Sequence, residues 1–156
     1  MKPKWWNKSR SYLIKKDKVI SKLIKSYKGH LTTRNNFFYS LTRSIISQQI
    51  SVAAAESVFS KFEKKCKGKI NPKIVSRLTI TDLRRCGLSR MKALGIKSLA
   101  DKILDKSFNP KLIKKMSDEE AINYLSSLRQ IGRWSSEMGL IFFYNRPNLW
   151  LSLMHI

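Results

Sequence analysis

The chain has 156 residues, 42% of them hydrophobic, with 32 Lys and Arg against 10 Asp and Glu, a net charge of +22. That length suits one domain able to bury its own core without staples. Six Gly and four Pro disfavour a turn-rich all-β fold, no apolar run approaches the ~20 residues of a membrane span, and the basic "MKPKWWNKSR" is followed by no apolar signal region. The charge points to a polyanion, nucleic acid foremost; an AT-rich genome, which raises Lys usage, is the bland account of part of the excess. Cys66 and Cys86 offer neither a disulfide framework nor metal spacing, and His30 and His155 are too far apart for a His-built site. The expectation is a reduced, cytoplasmic chain with no metal and no cofactor of its own.

In chain order the periodicity is helical throughout. Residues 1–10 read as a flexible basic lead. The spacing predicts a helix over 11–27, with Leu13, Ile20, Leu23, Ile24 and Tyr27 near one face and Gly29 ending it. "NNFFYSLTRSIISQQ" (35–49) is the most apolar helix and therefore the central one. Helix 51–66 follows at once, with Ser51 as N-cap and Gly68 as its stop. Pro72 suits the first turn of a short helix, 72–78. "ITDLRRCG" is another, ended by Gly87. Ser89 caps a longer helix over 89–105. Ser117 and Glu120 have the spacing of a capping box for helix 117–128. The last helix spans about 133–144, and Pro147 forbids its continuation. No segment alternates with period two, so the fold class is all-α: a compact domain of roughly eight short helices.

The stretch "SLRQIGRWSSEMG" (127–139) joins the last two helices through a tight turn. Such a turn needs a residue tolerant of φ > 0, and Gly132 is the expected supplier. The backbone N–H groups that open the second helix, with its dipole, make an anion site flanked by Arg129 and Arg133. A nucleic-acid phosphate is the natural ligand; an ordinary αα-turn containing a Gly is the plain alternative.

"SLRQIGRWSSEM" resembles the helix-hairpin-helix motif of the base-excision DNA glycosylases. Upstream, "SLTRSIISQQISVAAAESVF" (40–59) is similar to that superfamily's first core helix and the loop after it. "LRRCGLSRMKALGIKSLADKIL" (83–104) is similar to its Gly-Leu-Ser-x-x-Lys segment. Within the superfamily the chain most resembles the 3-methyladenine DNA glycosylase II branch. The resemblance implies a monomer acting on double-stranded DNA with alkylated bases, in a bacterial cytoplasm at the nucleoid. It implies phosphate contacts at Arg129, Ile131, Gly132 and Arg133, a DNA wedge at Gln48, Gln49 and Ser51 with Gln49 intercalating, and a base pocket at Trp134 and Met138. It also allows a monovalent cation at the hairpin carbonyls. Trp134 stands where the superfamily's lyases carry a Schiff-base Lys, so a monofunctional hydrolase is implied. An electron-rich indole also suits a cationic methylated purine. Core packing for Trp134 and a polar interhelical corner for Gln48 and Gln49 are the plainer alternatives.

Two positions depart from the family pattern. Gln130 replaces the first hairpin Gly, where φ > 0 costs a non-Gly residue roughly 1 kcal/mol or more. Met154 falls where the family carries its catalytic Asp, the tail from Leu151 is unlike the family, and the closing helices are missing, so no catalytic residue is present. The expectation over 1–156 is therefore a glycosylase domain incomplete at its C-terminus and poorly active, with Glu137 as the substitute acid should it turn over. A non-catalytic helix-hairpin-helix DNA-binding module is the rival reading. A basic RNA- or ribosome-associated helical protein is a third.

Overall fold

The structure, a computed structural model, describes residues 2–32 and 36–151. Asp17 divides what reads in sequence as one helix over 11–27. Its backbone is extended (φ −137°, ψ 122°), and its carboxylate accepts hydrogen bonds from Val19 N at 2.7 Å and Ile20 N at 2.8 Å. That is N-cap geometry, and it starts a new helix. The products are α1, Trp6–Lys16, and α2, Lys18–Ser26, packed against each other. Arg10 ties the pair by donating from Nη2 to Ile24 O at 2.9 Å. The expected single apolar face is thereby broken: Leu13, Leu23 and Tyr27 are exposed, and only Ile20 and Ile24 are half-buried.

The lead 1–10, expected to be flexible, is anchored instead. Pro3 is buried, Trp5 Nε1 donates to Asn145 O at 2.9 Å, and α1 begins at Trp6. The Trp5 indole, with Trp6 beside it, supplies what the charge count hides, an aromatic anchor on the far end of the chain.

Helix α3, Phe37–Ser47, is capped by Asn36, whose side chain accepts from Tyr39 N. It is the central helix, as its apolar content predicts, with Phe38, Leu41, Ile45 and Ile46 buried. Helix α4, Val52–Lys65, starts at Ser51, which accepts from Ala54 N at 3.2 Å. Gly68 ends it at φ +73°. The short helices α5, Pro72–Val75, and α6, Ile80–Arg85, follow, the second opened by a Thr79–Asp82 capping box that the sequence reading passed over. Lys65 and Thr79 bind Asp82 and hold its carboxyl well below the usual carboxylate range. Helix α7, Arg90–Leu104, packs on α3, α5 and α6. A 3-10 turn over Pro110–Lys115, also unpredicted, leads into α8, Asp118–Ser126, with its Ser117–Glu120 capping box in place. Helix α9, Arg133–Phe142, completes the hairpin against α8 and touches α3.

Among the described residues there are nine α-helices and one 3-10 turn and no strand, two elements more than expected. The additions are the division at Asp17 and the 3-10 turn. Phe62, Leu83, Ile96, Leu125 and Leu140 are fully buried between α3, α4, α6, α7, α8 and α9. Arg146 secures the segment after α9 by donating to Asp118 Oδ1 (2.5 Å), Ile113 O (2.6 Å) and Met116 O (2.7 Å). Cys66 and Cys86 are buried free thiols, and no helix among the described residues is long and apolar enough to cross a membrane.

Candidate nucleic-acid interface and base cleft

The hairpin turn between α8 and α9 is made differently from the sequence expectation. Gly132 sits at φ −93°, ψ −177°, extended backbone open to any residue. The left-handed position is Gln130, at φ +68°. Three residues give the turn its shape. Ile131 is buried and its N–H goes to Leu128 O at 3.1 Å, so its side chain and amide both serve the fold and not a phosphate. Gly132 is the N-cap of α9 and supplies no side-chain cap. A Cβ built on Gly132 meets nothing within 4 Å. The turn therefore presents an open approach to the N-terminus of a ten-residue helix, the geometry that binds anions.

The flanking arginines differ. Arg129 is exposed, its closest polar contact a 3.8 Å approach to Met91 Sδ. Arg133 is committed to carboxylates: Nη1 and Nη2 reach Glu119 at 3.1 and 2.6 Å, and Nε reaches Glu137 at 3.0 Å. Glu119 raises the guanidinium pKa above its ordinary value, and Arg133 lowers that of Glu119. Both arginines expected as phosphate contacts flank the hairpin; Arg129 is exposed, whereas Arg133 is engaged by two carboxylates that lie within its reach on α8 and α9.

Behind the turn, α3 and α9 diverge to leave a cleft of about 580 Å³. Trp134 and Met138 line it from α9, Leu41 and Ser44 from α3, and Phe37 and Phe143 from its far end. Trp134 is half-buried and stands outside the core cluster, so the cleft, not the core, is its setting. Sequence reasoning missed the contribution of Phe37, Phe142 and Phe143, because nothing local tells an aromatic residue in a core from one on a cleft wall. Among the described residues no carboxylate lines the cleft. Glu137, the substitute acid, is 2% exposed and turned to Arg133 instead. Met154 lies outside the described residues.

The α3–α4 loop meets the hairpin at the mouth of this cleft. Gln49 is exposed, and its backbone is left-handed, with φ +56°. Gln48 faces inward: its Nε2 donates to Gln130 O at 2.8 Å and to Ser135 Oγ at 3.2 Å. Ser51 is occupied as the α4 cap. Of the three wedge residues Gln49 and Ser51 are exposed and Gln48 is half-buried, and of the exposed two only Gln49 has no capping role; beside it Ile50 and Val52 are 40% and 80% exposed. Lys92 of α7 closes the arrangement, its Nζ donating to Ile46 O at 2.8 Å and Gln48 O at 2.6 Å. Burial lowers its pKa. Gly95, one turn on, lies against the hairpin: a Cβ there would stand 2.7 Å from Gln130 Cγ and 3.2 Å from Arg129 O. Sequence reasoning missed both residues, although Lys92 is the Lys of the Gly-Leu-Ser-x-x-Lys segment.

Residues 42–148 match the model of the HhH-GPD superfamily base excision DNA repair proteins. An alkylbase DNA glycosidase-like protein of Schizosaccharomyces pombe is 34% identical over 113 residues, 70% of this chain and 53% of that protein. A DNA-3-methyladenine glycosylase of the same yeast is 30% identical over 136 residues, 85% of this chain and 60% of that protein. The chain therefore spans little more than half the length of these relatives. Among solved structures, a Schizosaccharomyces pombe 3-methyladenine DNA glycosylase in complex with abasic DNA superposes with a TM-score of 0.76 at 27% identity, over 92% of this chain and 73% of that one.

Proposed function

The chain belongs to the HhH-GPD superfamily of base excision DNA repair proteins, and from that premise we propose that it grips damaged duplex DNA and receives an alkylated base into the α3–α9 cleft for hydrolysis of its glycosidic bond. The observation that carries this reading is the position of Trp134. It lies directly behind the uncapped N-terminus of α9 and on the wall of the cleft. A phosphate bound at the helix start would place the sugar and base of the same nucleotide beside the indole. An indole face attracts a purine made cationic by ring methylation. It cannot form a Schiff base, so the backbone is left uncut.

The remaining residues take roles that their geometry permits. The α9 amides and Arg129 hold phosphate, which positions the protein without reading sequence. Gln49 fills the space left by the extruded nucleotide, whose unstacking costs a few kcal/mol and costs least for a damaged base. A monovalent cation at the hairpin carbonyls is part of the same reading. Hydrolysis needs a carboxylate near the sugar as positive charge develops on it. None lines the cleft among the described residues, and the sequence holds no Asp or Glu after Glu137. That observation favours a second reading for these 156 residues taken alone: a lesion-binding module of slow turnover.

Base release from methylated DNA tests both. The chain itself, Met154→Asp, and the chain extended with the C-terminal segment of a full-length relative are compared. The expected order is little release, little release, robust release. Robust release by the unextended chain would overturn the slow-turnover reading. No release by the extended chain, with binding intact, would overturn the glycosylase reading.

A further inference from the structure

We infer that Gln48 is a positioning residue and not part of the wedge: its amide, with the Lys92 ammonium, locks the α3–α4 loop to the hairpin so that Gln49 and the α9 amides meet DNA as one preset surface. The two segments lie 82 residues apart in the chain, so nothing local aligns them. A primary amide has two N–H donors, and the two acceptors in reach of Gln48 Nε2 are Gln130 O and Ser135 Oγ. One belongs to the turn and the other to the first turn of α9. The backbone of Gln48 is in turn held from beneath by Lys92 Nζ, 2.6 Å from Gln48 O.

Both loops also contain a non-Gly residue in the left-handed region, Gln49 at φ +56° and Gln130 at φ +68°. Such residues persist only where their surroundings fix them. Here the two are adjacent to the same clamp: Gln48 precedes Gln49 and bonds to the carbonyl of Gln130. Helix α7 carries the clamp on one face. Lys92 and Gly95 are three residues apart and so point the same way, the first to the α3–α4 loop and the second to the hairpin. A wedge and a phosphate site held at fixed separation before DNA arrives lose less freedom on binding.

The coupling stands on the free protein's geometry; its consequence for DNA rests on the reading proposed above. The whole chain is compared with Gln48→Leu, Lys92→Met, Lys92→Arg and Gln49→Ala, each checked for an unchanged melting transition. In free protein, hydrogen exchange is read at the Leu128 and Ile131 amides, which bond within the turn. Gln48→Leu and Lys92→Met should speed that exchange by about tenfold and leave the rest of α7 unchanged, Lys92→Arg should restore the slow rate, and Gln49→Ala should leave it slow. In binding, Gln48→Leu should reduce the preference for a duplex with an abasic site over an intact duplex by about tenfold while affinity for the intact duplex holds within about twofold. Unchanged exchange in Gln48→Leu would overturn the inference. So would a Gln48→Leu that matches Gln49→Ala in both measurements, which would make Gln48 a wedge residue. A wild-type chain with no preference for abasic DNA would overturn the DNA reading, and the exchange arm would still decide the coupling.

Discussion

Gln130 and Gly132 exchange the roles that their residue types suggest. The glycine is extended and the glutamine is left-handed, because the turn must bring Ile131 into the core while keeping the helix start open. What Gly132 provides is vacant space, not conformational freedom. Of the glycines, Gly95 is the one where an added Cβ would meet its neighbours most tightly. Gly95→Ala gains about 1 kcal/mol in helix propensity. Against this, a Cβ 2.7 Å from Gln130 Cγ and 3.2 Å from the Arg129 carbonyl forces backbone movement costing roughly 1–3 kcal/mol. The variant should therefore melt at lower temperature, and an unchanged melting point would show that the hairpin can move aside freely. Trp134→Ala should weaken binding to DNA carrying a cationic alkylated base by about 1–2 kcal/mol relative to undamaged DNA, as read in competition titrations, whereas Trp134→Phe should keep part of that preference.

At the scale of elements, the hairpin's two arginines separate binding from stability. Arg129 is exposed and its side chain's one polar contact among the described residues is a weak one to sulfur, so Arg129→Ala should lessen the salt dependence of DNA binding by about one phosphate contact and leave the melting temperature alone. Arg133 joins α9 to α8 through Glu119 and pairs within α9 with Glu137. Arg133→Ala takes a partner from Glu137, a 2% exposed carboxylate, and a buried charge that loses a partner destabilises the fold. It should lower the melting temperature while changing the salt slope little. Equal slopes for the two variants would return Arg133 to the phosphate site. Helices α1 and α2 teach the same caution about reading one element. Lys and apolar residues repeat smoothly through 11–27, yet one carboxylate satisfying two N–H groups at Asp17 ends one helix and begins the next.

For the molecule as a whole, the net charge of +22 should dominate affinity for DNA. With roughly five phosphates neutralised, binding should weaken about 500-fold between about 50 and 200 mM salt; a nearly flat titration would defeat the electrostatic account. The thiols should be silent. Burial pushes Cys66 up to about 11 from an ordinary 9.0 and raises Cys86 as well. The thiolate is the reactive form, so neither should be alkylated by iodoacetamide at pH 8 until the chain unfolds. The sign for stability follows from the same shift. Below about pH 9 both states keep the Cys66 proton; between about 9 and 11 only the unfolded state loses it, so this contribution disappears as pH rises through that window.

The sequence by itself determined the all-α class, the central place of α3, the caps at Ser51, Ser89 and Ser117, and the hairpin with its Trp. These follow from periods, caps and motif spacing, which act over a turn or two of chain. Only the tertiary structure decided which side chains remain available to a ligand. Arg133 and Gln48 have the chemistry of DNA contacts, and in isolation nothing distinguishes them from Arg129 and Gln49. Folding sets Glu119 and Glu137 against the first and the Gln130 carbonyl against the second. Glu137 is buried and Gln48 half-buried; a polar group that leaves water must find a partner, and which partner it finds depends on how the elements pack. The same reason hides Lys92 and Gly95 in sequence: their meaning lies in the two loops that α7 holds together.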